Sequence, residues 1–276
     1  MIAARRVGAF VAYLTVILGS SAQGAAAGPA TTTPTVSADA RPGTGGWTAV
    51  QTQTGPAGAA GTSRITYADH RLRIDEGDRS AVLELSSGDV VYIDRAAKRW
   101  ARVTLEELVK RRDEQLAALN ARIDALPEPL REDFRAQLEA QRAADLRGPE
   151  IERTDHTDEV SGYACRVHRW SEGDTRGDVC IAEDLPVDLV AFRADVEALQ
   201  DRLRSLGASR TVQALDFSRL GERGFPVRIR QTVDLGPGQT ATSVFSDFAP
   251  VRAPDMAPPP EFERVDYETL LRGAGR

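Results

Sequence analysis

The sequence predicts an α+β fold in which an antiparallel β-sheet is covered by amphipathic helices. Three observations lead there. Apolar and polar residues alternate through residues 47–103 and again after 150, the period of a half-buried strand. Apolar residues three and four apart fill 104–147 and 189–206, the period of a helix. Strands and helices also come in groups, so the strand-helix-strand alternation of a parallel nucleotide-binding sheet is missing.

The chain has 276 residues, 41% hydrophobic and 28% charged, an ordinary globular composition. At its N-terminus Arg5 and Arg6 precede an uncharged, mostly apolar run from Val7 to Gly19, and small residues offer cleavage after Ala22 or Ala27. Residues 1–27 therefore read as a secretory signal peptide. The apolar run would span only about 20 Å as a helix against a hydrocarbon core of about 30 Å, which argues against a membrane anchor. With no later stretch near membrane-spanning length, the expectation is an exported, soluble protein of the periplasm or the extracellular space, without a transmembrane anchor after cleavage. Residues 28–46, rich in Ala, Thr, Pro and Gly, form a linker that cannot bury enough apolar surface to offset its ordering entropy. Residues 47–271 are a single domain with an inserted helical hairpin at about 104–147, and 272–276 are a tail.

In Arg71-Leu72-Arg73-Ile74-Asp75 the alternation puts Leu72 and Ile74 on one face of a strand. Similar runs at Trp47 to Thr54, Arg64 to Ala68, Ala81 to Leu85, Val90 to Asp94 and Lys98 to Val103, separated by turn-formers such as Glu76-Gly77-Asp78, make a meander. The first helix follows, with Leu105, Leu108, Leu116, Leu119, Ile123 and Leu126 as its stripe and Thr104 with Glu107 as a capping box. Pro127 ends it. A second helix carries Leu130, Phe134 and Leu138 and stops at Gly148-Pro149. Strands return at Glu150 to Glu159, Gly162 to Trp170 and Asp178 to Ala182. A third helix then repeats Leu189, Phe192, Val196, Leu199, Leu203 and Leu206 before Gly207. The end of the domain is a hairpin, Val227 to Val233 and a strand through Phe248, around Leu235-Gly236-Pro237-Gly238.

The two cysteines, Cys165 and Cys180, fall in adjacent strands, and an oxidising compartment favours a disulfide between them. If the two oppose each other, Trp170 opposes Thr175 and Ser171-Glu172-Gly173-Asp174 remain for the turn. Closing such a loop stabilises by about 3 kcal/mol. A zinc site from Cys165, His168 and Cys180 is the competing arrangement, but residues three apart on a strand point to opposite faces.

Net charge is -6, or -8 once Arg5 and Arg6 leave with the signal, so no nucleic-acid footprint is expected. There is no G-x-S-x-G elbow, H-E-x-x-H helix, phosphate loop or dinucleotide fingerprint. The densest acid and base cluster is Asp155-His156-Thr157-Asp158-Glu159. It supports a minor alternative, a metal-dependent hydrolase around His156, which needs His156, Asp155 or Asp158 and another ligand within about 2.0 to 2.6 Å of one ion. The leading expectation is a non-enzymatic protein with no catalytic residue, cofactor or metal.

Several segments carry a family resemblance. These are Arg71-Leu72-Arg73-Ile74-Asp75, the run Gly88-Asp89-Val90-Val91-Tyr92-Ile93-Asp94 leading to Lys98-Arg99-Trp100, Gly162-Tyr163-Ala164-Cys165 with Cys180, Gly224-Phe225-Pro226-Val227 and Pro258-Pro259-Pro260-Glu261-Phe262. With the order of elements, they resemble the periplasmic group DUF4412 and, more broadly, the lipoprotein-carrier-like (LolA-like) half-barrel proteins. The resemblance implies a strongly curved antiparallel sheet, a half-barrel, with helices over its concave face and a cavity for a lipid or a lipoprotein acyl chain. On that reading the candidate cavity residues are Leu72, Ile74, Leu83, Val91 and Ile93 on strands and Leu189, Phe192, Val196 and Leu199 on the third helix. The alternative is a structural or interaction module that docks an envelope protein through the charged helical hairpin. An exposed apolar patch on Leu116, Leu119 and Ile123 would favour docking, and burial of that stripe beside a sheet cavity would favour a carrier.

Overall fold

The computed structural model describes residues 46–55, 60–147, 150–172, 175–205, 224–233, 239–252 and 254–273. The expected signal peptide, the linker, the stops at Gly148-Pro149 and Gly207 and the turn at Leu235 to Gly238 fall outside the described residues.

Strands β1 (Gly46–Thr54), β2 (Ala60–Ala68), β3 (Arg71–Glu76), β4 (Arg79–Glu84), β5 (Val90–Asp94) and β6 (Arg99–Val103) form the expected meander. Helices α1 (Leu105–Asp124) and α2 (Glu128–Arg147) follow, then β7 (Glu150–Val160), β8 (Tyr163–Glu172), β9 (Thr175–Ala182), α3 (Val190–Ser205), β10 (Phe225–Val233) and β11 (Gln239–Val251). A two-residue strand β12 (Glu263–Arg264) and a short helix α4 (Tyr267–Gly273) were not foreseen. All strands join one open sheet in the order β12-β6-β5-β4-β3-β2-β1-β11-β10-β9-β8-β7. Pairing is antiparallel except for β12, which runs parallel to β6. The fold is therefore a large, mostly antiparallel sheet with four helices among the described residues.

Cross-strand partners share a face, so the register sorts the side chains. One face carries Trp47 opposite Tyr67, Ala49 opposite Ile65, Tyr67 opposite Leu72, Ile65 opposite Ile74 and Leu72 opposite Leu83. Val90, opposite Leu83, and Tyr92, opposite Ala81, continue it into β5. The other face carries Val82 opposite Val91 and Ser80 opposite Ile93. There Ala68, Val82, Ile93 and Met256 form a separate buried cluster, with Val91, Trp100 and Phe262 packed against it. The segment around Met256 and Phe262 thus covers an apolar patch on the second face.

Three local devices fix where α1 leaves the sheet. Thr104 and Glu107 form the expected capping box: the Thr104 hydroxyl accepts the Glu107 N–H at 3.2 Å and the Glu107 carboxylate accepts the Thr104 N–H at 2.9 Å. Asp89, 9% exposed, accepts the Leu105 N–H at 3.3 Å and is bound by the Arg102 guanidinium, a carboxylate at a helix N-terminus as the peptide dipoles favour. Gly88 sits at φ +79°, and a Cβ there would meet Leu105 Cδ2 at 2.8 Å. Only glycine allows both that backbone and that approach.

Candidate functional site

The first candidate region is the contact between α3 and the sheet. Asp188 Oδ1 accepts the Val190 N–H at 2.9 Å, and the Leu189 carbonyl accepts the Arg193 N–H, so two donors of the first turn are satisfied. Leu72 and Ile74 of the sheet and Leu189 and Leu199 of the helix segment share one buried cluster, with Leu83 and Phe192 packed against it. Val196 is 2% exposed. Seven of the nine candidates therefore lie buried or packed at this contact or along its face. Val91 and Ile93 do not. They stand on the opposite face, because Leu83 pairs with Val90 and the neighbouring residue points the other way.

Around this contact is an aromatic cluster that periodicity did not single out. Trp47 meets Phe192 edge to face at 5.2 Å, and Phe225 packs against Phe245 and Phe248, each at 5.3 Å. Trp47 is 1% exposed, Phe245 2% and Phe248 5%, so interdigitated rings fill the region. Trp47 Nε1 and Gln51 Nε2 lie buried on the same face without a hydrogen-bond partner among the described residues.

One polar bridge ties α3 to the turn between β2 and β3. Tyr67 Oη donates to Asp195 Oδ2 at 2.6 Å, and His70 Nδ1 lies 2.9 Å from Asp195 Oδ1. Burial, and then the bond to Asp195, push the Tyr67 phenol well above its ordinary value. The hydrogen bond to Asp195, followed by the charge of Asp195, raises His70. From sequence alone, His70 beside Asp69 reads as ordinary surface, because nothing local reveals an aspartate 125 residues away.

The second candidate region is the hairpin. From Asp113 to Arg122 every residue of α1 is exposed. The helix is held at its root, where Leu105 enters the main core, Val109 packs against it, Glu106 pairs with Arg202 of α3 at 3.1 Å, and Arg111 pairs with Glu268. Near the turn, Asp124 pairs with Arg135 of α2 at 2.7 Å. Between these ends Leu116 is 38% exposed and Leu119 41%, while Leu130 and Phe134 of α2 are 49% and 44% exposed. Ile123 is buried at 5%. Of the three residues named for the docking test, two are exposed and one is not. An open hollow of about 530 Å³ runs along Glu106, Val109, Lys110, Asp113, Glu114 and Ala117 of α1. None of the nine cavity candidates lines it.

Cys165 and Cys180 are bonded, with Cα atoms 5.4 Å apart. The register differs from the expected one by two residues. Val167 opposes Cys180, and Glu172 opposes Thr175, which leaves only Gly173 and Asp174 between the strands. The bridge is therefore diagonal, between same-face residues two positions apart. His168 points to the opposite face from Cys180, as alternation requires. On the disulfide's face Arg228 donates to Asp158 at 2.7 Å and to Asp178 at 3.3 Å. The bond from Arg228 holds the Asp158 carboxyl below the usual carboxylate range. Asp155 and His156 are exposed beside an irregularity in β7, and the His156 N–H donates to Thr154 Oγ1. Among the described residues no three His, Cys, Asp or Glu side chains converge on a common point.

The part of the chain with this disulfide and α3 matches a family model. Residues 133–247 match the model of DUF4412, a domain of unknown function. Over that segment the chain is similar to DUF4412. The DUF4412 segment is less than half of the chain; it holds most of α2, then β7 to β10 with α3, and most of β11. It leaves out β1 to β6 and α1. No curated protein matches the chain. Two crystal structures of PNGF-II, in different space groups, align with 8% and 9% identity and TM-scores of 0.37 and 0.29. They cover 82% and 83% of this chain but only 32% of their own, so the chain spans about a third of their length. Likeness at that level carries no argument about function.

Proposed function

We propose that the protein is an exported, non-enzymatic binding protein of the cell envelope that docks a protein partner through the α1–α2 hairpin. Its sheet is read as a half-barrel, with α3 over the concave face as a structural cover. The observation that supports docking is the exposure of the large apolar side chains Leu116, Leu119, Leu130 and Phe134 on the two helices, with every residue from Asp113 to Arg122 exposed. Large apolar side chains grouped in this way mark contact surfaces, whereas the apolar residues beneath α3 already have packing partners. The test is a photo-reactive residue at Leu119, irradiated in the producing cell, with Thr62 on an exposed part of the sheet as control. A discrete adduct from Leu119 alone supports docking; equal labelling at both positions, or none, contradicts it.

A second reading keeps the carrier. Six candidates gather where α3 meets the sheet, and the buried N–H groups of Trp47 and Gln51 on that face would donate to a polar head that entered there. The rings that fill the region mean that a ligand enters only with displacement of α3. Native mass spectrometry with lipid extraction, on protein purified from its own envelope, decides this. Stoichiometric lipid or acylated peptide would favour the carrier, and a clean apo mass removes it.

A further inference from the structure

We propose that residues 254–273 are a guard that closes the β6 edge of the sheet to strand addition by another polypeptide. The inference is independent of both readings above.

An open sheet has two edges, and an edge strand presents backbone N–H and C=O groups on which a foreign strand can pair. Here one edge is β7 and the other is β6, bordered only by the two residues of β12. The β7 edge carries its own deterrents. Glu150, Glu152, Arg153, Asp155 and Glu159 are exposed along it, and its pairing with β8 breaks register between Arg153 and Thr157. Charge and a local irregularity both discourage a flat partner strand. The β6 edge is built differently. It pairs with β5 without a shift from Arg99 to Val103, and Ala101 and Val103 are buried apolar residues. Its two charges are already paired, Arg102 with Asp89 and Arg99 with Glu263.

Residues 254–273 pass around this edge from one face of the sheet to the other. On the second face Met256 is buried with Val82 and Ile93, and Phe262 and Trp100 pack against the same cluster. At the edge itself the Glu263 N–H donates to the Lys98 carbonyl at 3.0 Å and the Val265 N–H to the Trp100 carbonyl at 2.9 Å. These are acceptors that an incoming strand would need. The Arg264 guanidinium lies 5.2 Å from the centre of the Trp100 ring. On the first face Leu270 is buried with Tyr92, Ala101 and Val103, and Val265 and Tyr267 pack against them. Two ladder pairs are too few to hold a strand in place. Apolar anchors on both faces hold it instead, and so keep β12 on the one edge that lacks deterrents of its own.

The test is sedimentation velocity on the full chain with its disulfide intact, comparing the wild type with Glu263→Pro/Val265→Pro across a wide range of concentration. Proline removes the two N–H donors of the edge and leaves Met256, Phe262 and Leu270 in place. The expected result is a variant whose mass rises with concentration to two chains or more above that of the wild type, with amide exchange in β6 slower in the associated form than in the dilute variant. A variant that matches the wild-type mass at every concentration and only melts earlier overturns the inference, because the segment then stabilises without guarding. Association that leaves exchange in β6 unchanged also overturns it, since it proceeds through another surface. Should the double variant fail to fold, Glu263→Pro alone, at an exposed position, is read by the same criteria.

Discussion

The helices α3 and α1 are written with the same apolar spacing and meet opposite environments. In α3 and the residue before it, Leu189, Phe192, Val196, Leu199 and Leu203 alternate three and four apart; in α1, Leu116, Leu119 and Ile123 do the same. Leu199 is 3% exposed and Leu203 3%, whereas Leu119 is 41% exposed. The difference lies in what stands opposite. Residues of α3 share a buried cluster with Trp47, Tyr67, Leu72 and Ile74 of the sheet, and Asp195 of the helix accepts from Tyr67. Along the middle of α1, from Asp113 to Arg122, no described residue of the helix is buried. Periodicity therefore declares which face of a helix seeks burial, and the neighbouring surface decides whether burial is met within the chain.

The contrast is sharpest in truncation. Leu199→Ala should lower the unfolding free energy by about 2 to 5 kcal/mol, the range for emptying a packed core site. Leu119→Ala should change it by about 0.5 kcal/mol or less in the isolated chain, as for an exposed site. Chemical denaturation of both variants checks this, and equal losses would break the distinction between core helix and docking hairpin. Next, Cys165→Ala/Cys180→Ala should cost about 3 kcal/mol through the freed loop, felt in the sheet half that holds α3; amide exchange should rise in β8 and β9 first. Thr104→Ala removes the capping box at the hairpin root and should cost about 1 kcal/mol, visible as faster exchange in the first turn of α1 with α3 unaffected.

The smallest effect is a pH dependence confined to the α3 side. Asp195 raises the pKa of His70, so protonated His70 stabilises the folded state. That contribution is complete below about 6.5, the ordinary histidine value, and disappears as pH climbs through the raised folded value. Because the His70 side chain is 66% exposed, solvent screens the pair and the change in melting temperature should be slight. His70→Gln should flatten the wild-type slope above about 6.5 and leave α1 exchange untouched; an identical slope in the variant would remove Asp195 as the cause.

Much of the fold was legible because alternation and helical spacing are strong in this chain. Arg71-Leu72-Arg73-Ile74 gives a strand and its buried face at once, and Thr104 with Glu107 gives the start of α1. The phase of β5 was not legible, since Val90-Val91-Tyr92-Ile93 is apolar on both sides and both sides are covered. Only the pairing of Leu83 with Val90 shows that Val91 and Ile93 belong beneath Met256 and Phe262. The disulfide was legible as a pair and not in its register, because loops of two and four residues both close a hairpin. Strand β12 is two residues long and pairs in parallel with a strand more than 150 residues earlier, so no local pattern announces it. The bridge of Tyr67, Asp195 and His70 joins distant segments for the same reason.

The most direct measurement of the central claim, that α3 is a core helix and the middle of α1 is left exposed, is amide hydrogen exchange of the full chain. The account predicts strong protection of α3 and much faster exchange at residues 113–122 of α1 in the isolated chain. Protection of residues 113–122 equal to that of α3 would contradict it.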